Sequence, residues 1–215
     1  MIAAMTTRRR APILALTALA LALTAAPASA TTFCVPSFHP ACPNNGANVA
    51  QASLETALNT NGYDGIADRV LIGPSIVTDP DTLEASGTDP LEVAGSGPAD
   101  TVLTSSDNGN QFVVNLDTRA ASVTLRDLRI TVPASFPDGL GAGLLVRKAS
   151  VENVDIESRN VGGDGVMFSG GGSYRGGTIA GVAGGSIDDG ITTNAVKTGP
   201  LTVERVTIES PTWGL

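Results

Sequence analysis

One pattern recurs four times in the second half of the chain, and it constrains the fold more than any other feature. Val123 to Ile130 reads VTLRDLRI, Ala149 to Ile156 reads ASVENVDI, Gly172 to Ile179 reads GSYRGGTI and Leu201 to Ile208 reads LTVERVTI. The closing isoleucines are 26, 23 and 29 residues apart. Self-similarity at that period is the mark of a solenoid, in which each unit buries its apolar side only by stacking on its neighbours. Parity within each unit says which solenoid. Val123 shares a face with Leu125, and Ala149 with Val151, whereas Leu128/Ile130 and Val154/Ile156 stand one residue out of phase with them. Side chains of a strand alternate with period two, so one bend must separate two short strands if both are to keep their apolar sides inward. The bend falls on Asp127, Asn153, Gly176 and Arg205 in turn. Gly, Asn and Asp tolerate a left-handed backbone, which predicts a one-residue left-handed corner. Arg205 departs from that preference.

Ahead of three of the units lies a further strand opened by glycine: Gly143 to Val146 (GLLV), Gly165 to Phe168 (GVMF) and Gly190 to Thr193 (GITT). Each coil then holds about three strands, coils stack at about 4.8 Å, and length variation falls in the loops between strands. An antiparallel sandwich suits the same composition but leaves four copies of one bend unexplained. The preceding region carries short segments rich in β-branched residues at Arg69 to Ile72, Leu91 to Val93, Thr101 to Leu103 and Phe112 to Leu116. Before them, Asn48 to Asn61 (NVAQASLETALNTN) reads as a helix. Ala50, Leu54, Ala57 and Leu58 share one face, Asn48 serves as N-cap, and Asn61-Gly62 supplies the stop.

The first thirty residues read as an export signal. Arg8, Arg9 and Arg10 precede an apolar run from Ala11 to Ala25, and Ala28-Ser29-Ala30 offers the small residues a signal peptidase needs. The run is shorter than the roughly 20 residues of a membrane span, so no span is expected after cleavage. The Arg9-Arg10 pair does not choose between export routes, and no cysteine stands at the cleavage site to accept a lipid. Cleavage removes three of 13 basic residues and none of 21 acidic ones, leaving a net charge of −11. Nucleic acid and anionic membrane are therefore poor partners. The two cysteines, Cys34 and Cys42, would meet an oxidising compartment, where a local disulfide is expected. The alternative is a metal held by Cys34, His39 and Cys42, which lacks a fourth ligand nearby. The expected organisation is a signal peptide at 1–30, a disulfide-clipped segment at 31–47 and a β-helix domain at 48–215.

From about Asn48 onward these residues resemble the right-handed parallel β-helix proteins of the pectin-lyase-like type. The resemblance rests on the capping helix, on RVLIGP from Arg69, on LEVAGSGPADTVL from Leu91 and on the V-x-N-V-x-I signature at Val151 to Ile156. It implies an all-β, right-handed parallel β-helix solenoid with an N-terminal capping helix. Pectate lyases, polygalacturonases, phage tailspikes and bacterial surface adhesins share that fold, so it names no reaction. A solenoid needs a cover at each end. The seven residues after Ile208 are too few for a capping helix, so the C-terminal end is expected to be truncated and to aggregate or assemble end to end.

One constellation is a candidate for chemistry. Asp164-Gly165 and Asp188-Asp189-Gly190 occupy matching positions one coil apart. The arrangement is similar to the aspartates of polygalacturonase-type glycoside hydrolases, in which one carboxyl acts as acid and another as base. The family pattern continues with a histidine on the following coil and an Arg-x-Lys beyond it. Neither is present, the only histidine being His39. Asp-Gly is also a favoured turn dipeptide, which accounts for the same residues without catalysis. No cofactor is implied. A calcium site from Asp155, Asp164 and Asp188 is conceivable, although no spacing demands it. Two functions compete: an exported surface or matrix protein that binds polysaccharide or cell-surface material without catalysis, and a truncated polysaccharide hydrolase or lyase.

Overall fold

The computed structural model describes residues 30–60, 66–79, 82–85, 87–106, 111–116, 122–136, 142–193, 199–209 and, for the backbone alone, 211–213. Residues 1–29 of the export signal expected at 1–30, and the expected Asn61-Gly62 helix stop, lie outside the described residues. In chain order the first half contains β1 (Thr32–Val35), β2 (Asn48–Ala50), the helix α1 (Leu54–Asn59), β3 (Asp68–Ile72), β4 (Ser75–Asp79), β5 (Leu83–Glu84), β6 (Leu91–Ala94), β7 (Thr101–Ser105) and β8 (Phe112–Leu116). The repeated half contributes β9 (Val123–Val132), β10 (Ala142–Val146), β11 (Ala149–Ser158), β12 (Asp164–Phe168), β13 (Gly172–Arg175) and β14 (Thr178–Gly181). It closes with β15 (Ile187–Thr193), β16 (Leu201–Glu204), β17 (Thr207–Glu209) and β18 (Pro211–Trp213).

The fold is an all-β parallel solenoid with three faces. The first runs β2-β1-β3-β6-β9-β11-β13-β16, the second β4-β7-β9-β11 and on to β14 and β17, and the third β5-β8-β10-β12-β15-β18. Strands β9 and β11 bend and so belong to both the first and second faces. Their bends sit at Asp127 (φ 56°) and Asn153 (φ 51°), and the next two coils turn at Gly176 (φ 69°) and Arg205 (φ 55°). All four corners are therefore left-handed, including the one occupied by arginine. Stacking supplies what Arg205 lacks in intrinsic preference, because β16 and β17 are held in register on β13 and β14 either side of it.

The register explains the repeat. Ile130, Ile156, Ile179 and Ile208 are successive partners, and Val114, Leu144, Val166 and Ile191 form the matching column of the third face. Ile130, Ile156, Ile179, Leu128 and Val154 are fully buried, and Val206 and Ile208 pack partly buried against them. Fully burying one such side chain is worth about 1.5–3 kcal/mol. The opening glycines of the third face follow from the same packing. A Cβ on Gly143 would come within 2.7 Å of Ile156 Cγ2, and one on Gly165 within 2.5 Å of Ile179 Cγ2. The strands begin slightly earlier than the glycines, at Ala142, Asp164 and Ile187, and Gly143 and Gly165 are glycine because the isoleucine column and the next coil's backbone fill the space opposite.

The N-terminal segment differs from the sequence reading. The helix covers only Leu54–Asn59, with Ser53 rather than Asn48 as its N-cap: Ser53 Oγ accepts the Thr56 N–H at 3.1 Å. Residues 48–50 pair instead with β1, through Thr32↔Asn48 and Phe33↔Val49. The Asn45 side chain turns the chain into that strand by accepting the N–H groups of Ala47 and Asn48, each at 3.0 Å. Backbone groups spent on a sheet cannot also serve a helix. Leu54, Ala57 and Leu58, three of the four residues expected on the apolar face, are buried.

Cys34 and Cys42 form a disulfide with Cα atoms 5.6 Å apart, which replaces the alternative of a thiolate metal site. Backbone bonds between His39 and Cys42, 2.8 and 3.1 Å long, close the same loop. His39 Nε2 donates to Leu71 O at 3.1 Å, and its ring lies over Gly73, where a Cβ would be 3.1 Å from His39 Cγ. The single histidine thus ties the clip to β3.

Candidate functional site

Outward positions of the first face stack into rows, because a parallel register brings the same position of each coil to one line. One row reads Arg69, Glu92, Thr124, Ser150, Ser173 and Thr202. The row two residues further on reads Arg126, Glu152, Arg175 and Glu204 from β9 onward, alternating in charge. Ser150 and Ser173 hydroxyls lie 3.1 Å apart, and Ser150 Oγ also donates to Glu152 Oε1 at 2.8 Å.

Much of the charge in this surface is neutralised within it. Glu92 accepts from Arg69 Nε at 2.8 Å and from Arg126 Nη2 at 2.7 Å, and Arg126 also pairs with Asp127. Partial burial works against the ionised Glu92 carboxyl, but hydrogen bonds from Arg69 and Arg126 and their charges outweigh it and hold the pKa below the ordinary carboxylate value. Arg129 pairs with Glu157 at 3.2 Å and Arg175 with Glu204 at 3.3 Å. Sequence spacing gave no warning of the Arg69–Glu92–Arg126 network, since its members are 23 and 34 residues apart. Only the stacking register brings them together.

The three aspartates named from sequence stand on the third face, inside β12 and β15 rather than in the turns that their Asp-Gly pairs suggested. Asp164 is the direct partner of Asp189 in adjacent coils, with Asp188 one residue before it. All three are half-buried. Thr192 Oγ1 donates to Asp164 Oδ2 at 3.1 Å. Burial, then the neighbouring Asp189 and Asp188 charges, push the Asp164 carboxyl above its ordinary value, while the Thr192 hydrogen bond opposes them. Two carboxyls facing each other from adjacent coils, one of them pushed upward by its surroundings, form the kind of pair that acid–base chemistry uses. Asp155, the third member of the calcium trio, lies in β11 on another sheet, where its Oδ1 accepts the Thr178 N–H at 2.9 Å. Among the described residues no three His, Cys, Asp or Glu are gathered to hold a metal ion.

At the corners, Asn153 Nδ2 donates to Asp127 Oδ1 at 2.8 Å, the first rung of a side-chain ladder that follows the left-handed positions. Gly176 interrupts it, and a cleft of about 500 Å³ opens there, lined by Glu152, Asn153, Arg175, Gly176 and Arg205. The sequence marked Asn153, Gly176 and Arg205 as corner residues, but not as the walls of a cleft. Tyr174 was not singled out from the sequence at all. It is fully buried, its hydroxyl donates to Val154 O at 2.7 Å, and burial followed by the Asp155 charge pushes its pKa well above the ordinary phenol value.

Comparison of the chain with protein-family models, with curated proteins and with solved structures finds no match. Among the described residues no helix is long and apolar enough to cross a membrane.

Proposed function

We propose that this chain is an exported, non-catalytic solenoid that binds polysaccharide or other glycan-rich cell-surface material along its first face. The observation that carries the reading is the row Thr124, Ser150, Ser173 and Thr202, one hydroxyl per coil, beside the alternating Arg126, Glu152, Arg175 and Glu204. A ligand with a repeating array of hydroxyls meets a repeating array of donors and acceptors, one set per coil at a spacing of about 4.8 Å. The disulfide agrees with life in an oxidising compartment. In this reading residues 1–30 are removed on export, and α1 helps close the N-terminal end of the apolar interior. The test is co-sedimentation of the exported full chain with insoluble cellulose, xylan and cell-wall preparations. Retention on at least one is expected, as is its loss in a Ser150→Val/Ser173→Val double variant that still unfolds cooperatively. No retention on any of them would end the reading.

One observation favours a second function, a polysaccharide hydrolase or lyase: the raised Asp164 carboxyl beside Asp188 and Asp189. In that case Asp164 would serve as the acid and Asp189 as the base or nucleophile. Release of reducing or unsaturated ends from polygalacturonate or xylan, abolished in Asp164→Asn, would establish it. Absence of any release would leave the binding function alone.

A further inference from the structure

We infer that the gap at Gly176 is a binding notch for a single residue of a neutral glycan, a conclusion that rests on the glycan-binding reading and locates its most specific contact. The corner column runs Asp127, Asn153, Gly176, Arg205, and the first two side chains bond each other. A third residue with a side chain would continue that ladder. Glycine ends it and leaves the cleft of about 500 Å³ between Asn153 on one coil and Arg205 two coils on. Two coil spacings of about 4.8 Å separate those walls, room for one pyranose ring edge-on.

The groups around the notch point to the ligand. Among the described residues no acidic group lies within ion-pair distance of Arg205, whereas Arg69, Arg126, Arg129 and Arg175 each have one. Glu152, on the opposite wall, likewise has no cation within that distance among the described residues, and among them it accepts the Ser150 hydroxyl alone. One wall thus offers a guanidinium, the other a carboxylate, with the Asn153 amide beside them. Planar groups with two donors or two acceptors hold adjacent hydroxyls bidentately. A neutral sugar, which both donates and accepts, uses guanidinium and carboxylate together. An acidic sugar would satisfy Arg205 but face Glu152 and a chain of net charge −11 once the export signal is gone.

The position lends itself to a clean test. Gly176 has φ 69°, a conformation asparagine tolerates, and a Cβ there would make only ordinary contacts at 3.8 and 3.9 Å with Asn153. Gly176→Asn should therefore extend the corner ladder and fill the notch without unfolding the coil. The exported full chain would be titrated with soluble mixed-linkage β-glucan, soluble xylan and polygalacturonate by calorimetry, alongside Gly176→Asn and Arg205→Gln. We expect a neutral probe to bind best. Each variant should weaken it by about tenfold or more, the usual consequence of losing hydrogen bonds to charged groups, with the melting temperature unchanged. Undiminished binding by both variants would overturn the notch while leaving a glycan-binding face. Tighter binding of polygalacturonate than of either neutral glycan would overturn the ligand class. No binding of any probe by the parent chain would remove the underlying reading as well.

Discussion

Two adjacent coil interfaces of this solenoid solve the same corner in different ways. Between β9 and β11 the parallel register runs from Val123↔Ala149 to Val132↔Ser158, skipping only the corner pair Asp127 and Asn153, whose side chains bond each other. Between β11 and its next neighbours the pairing stops at Glu152↔Arg175 and resumes at Ile156↔Ile179. Two consecutive glycines pinch the chain there, and a Cβ on Gly177 would fall 2.0 Å from Val154 O. The ladder bonds given up at this point are replaced by side chains: Tyr174 donates to Val154 O, and Asp155 accepts the Thr178 N–H. Backbone pairing is thus the default of the stack, and where geometry breaks it the buried polar groups are still satisfied, as a dry interior requires.

The largest expected effect tests what the two interfaces share. Ile156 belongs to the isoleucine column on both sides, so Ile156→Ala should cost about 2–5 kcal/mol in denaturant unfolding. A loss no larger than that of an exposed residue would break the column. Tyr174→Phe separates the interfaces. It removes a hydroxyl that only the second uses and strands the Val154 carbonyl, at about 1–3 kcal/mol. A neutral Tyr174→Phe would mean that the interrupted interface needs no replacement donor. Asn153→Val places a β-branched residue at φ 51° and removes the bond to Asp127, so about 1–3 kcal/mol should be lost by the same assay.

Smaller effects are expected at the third face and on the surface. Asp164 has a folded-state value above its unfolded one. Its contribution is fully present below the unfolded carboxylate value, near pH 3.9, and is lost as pH rises through the folded value. Asp164→Asn should accordingly stabilise the chain at neutral pH and show no gain in strong acid. Solvent screening of a half-exposed carboxyl keeps the gain under about 1 kcal/mol. Melting curves of parent and variant at pH 3 and pH 7 would check the sign. Thr207→Ala, exposed on β17 in the same coil as Arg205, should stay within about 0.5 kcal/mol.

How much of this was legible in the sequence depends on whether the deciding interactions are local. The inward column, the corner positions and the glycine-led strands could be read because each follows from alternation and from the conformational range of one residue. The pairing of Cys34 with Cys42 was legible for a similar reason, since they lie only eight residues apart and had no other cysteine to choose. The helix was overextended because periodicity cannot show that residues 48–50 have a sheet partner in β1. Asp164 and Asp189 could be matched by counting from their glycines, but the upward push on Asp164 depends on burial and on a neighbour in the next coil.

The sequence by itself determined that this chain stacks parallel coils, where each coil bends and which side chains fill the interior, because those properties repeat with a local period. Tertiary structure alone decided what happens between coils. It set the Arg69–Glu92–Arg126 network, the replacement of ladder bonds by Tyr174, and the conversion of one glycine into a cleft walled by Glu152 and Arg205. Partners 20 or more residues apart meet only through the register of the stack, and which of them bond depends on side-chain reach and burial that a local period does not carry.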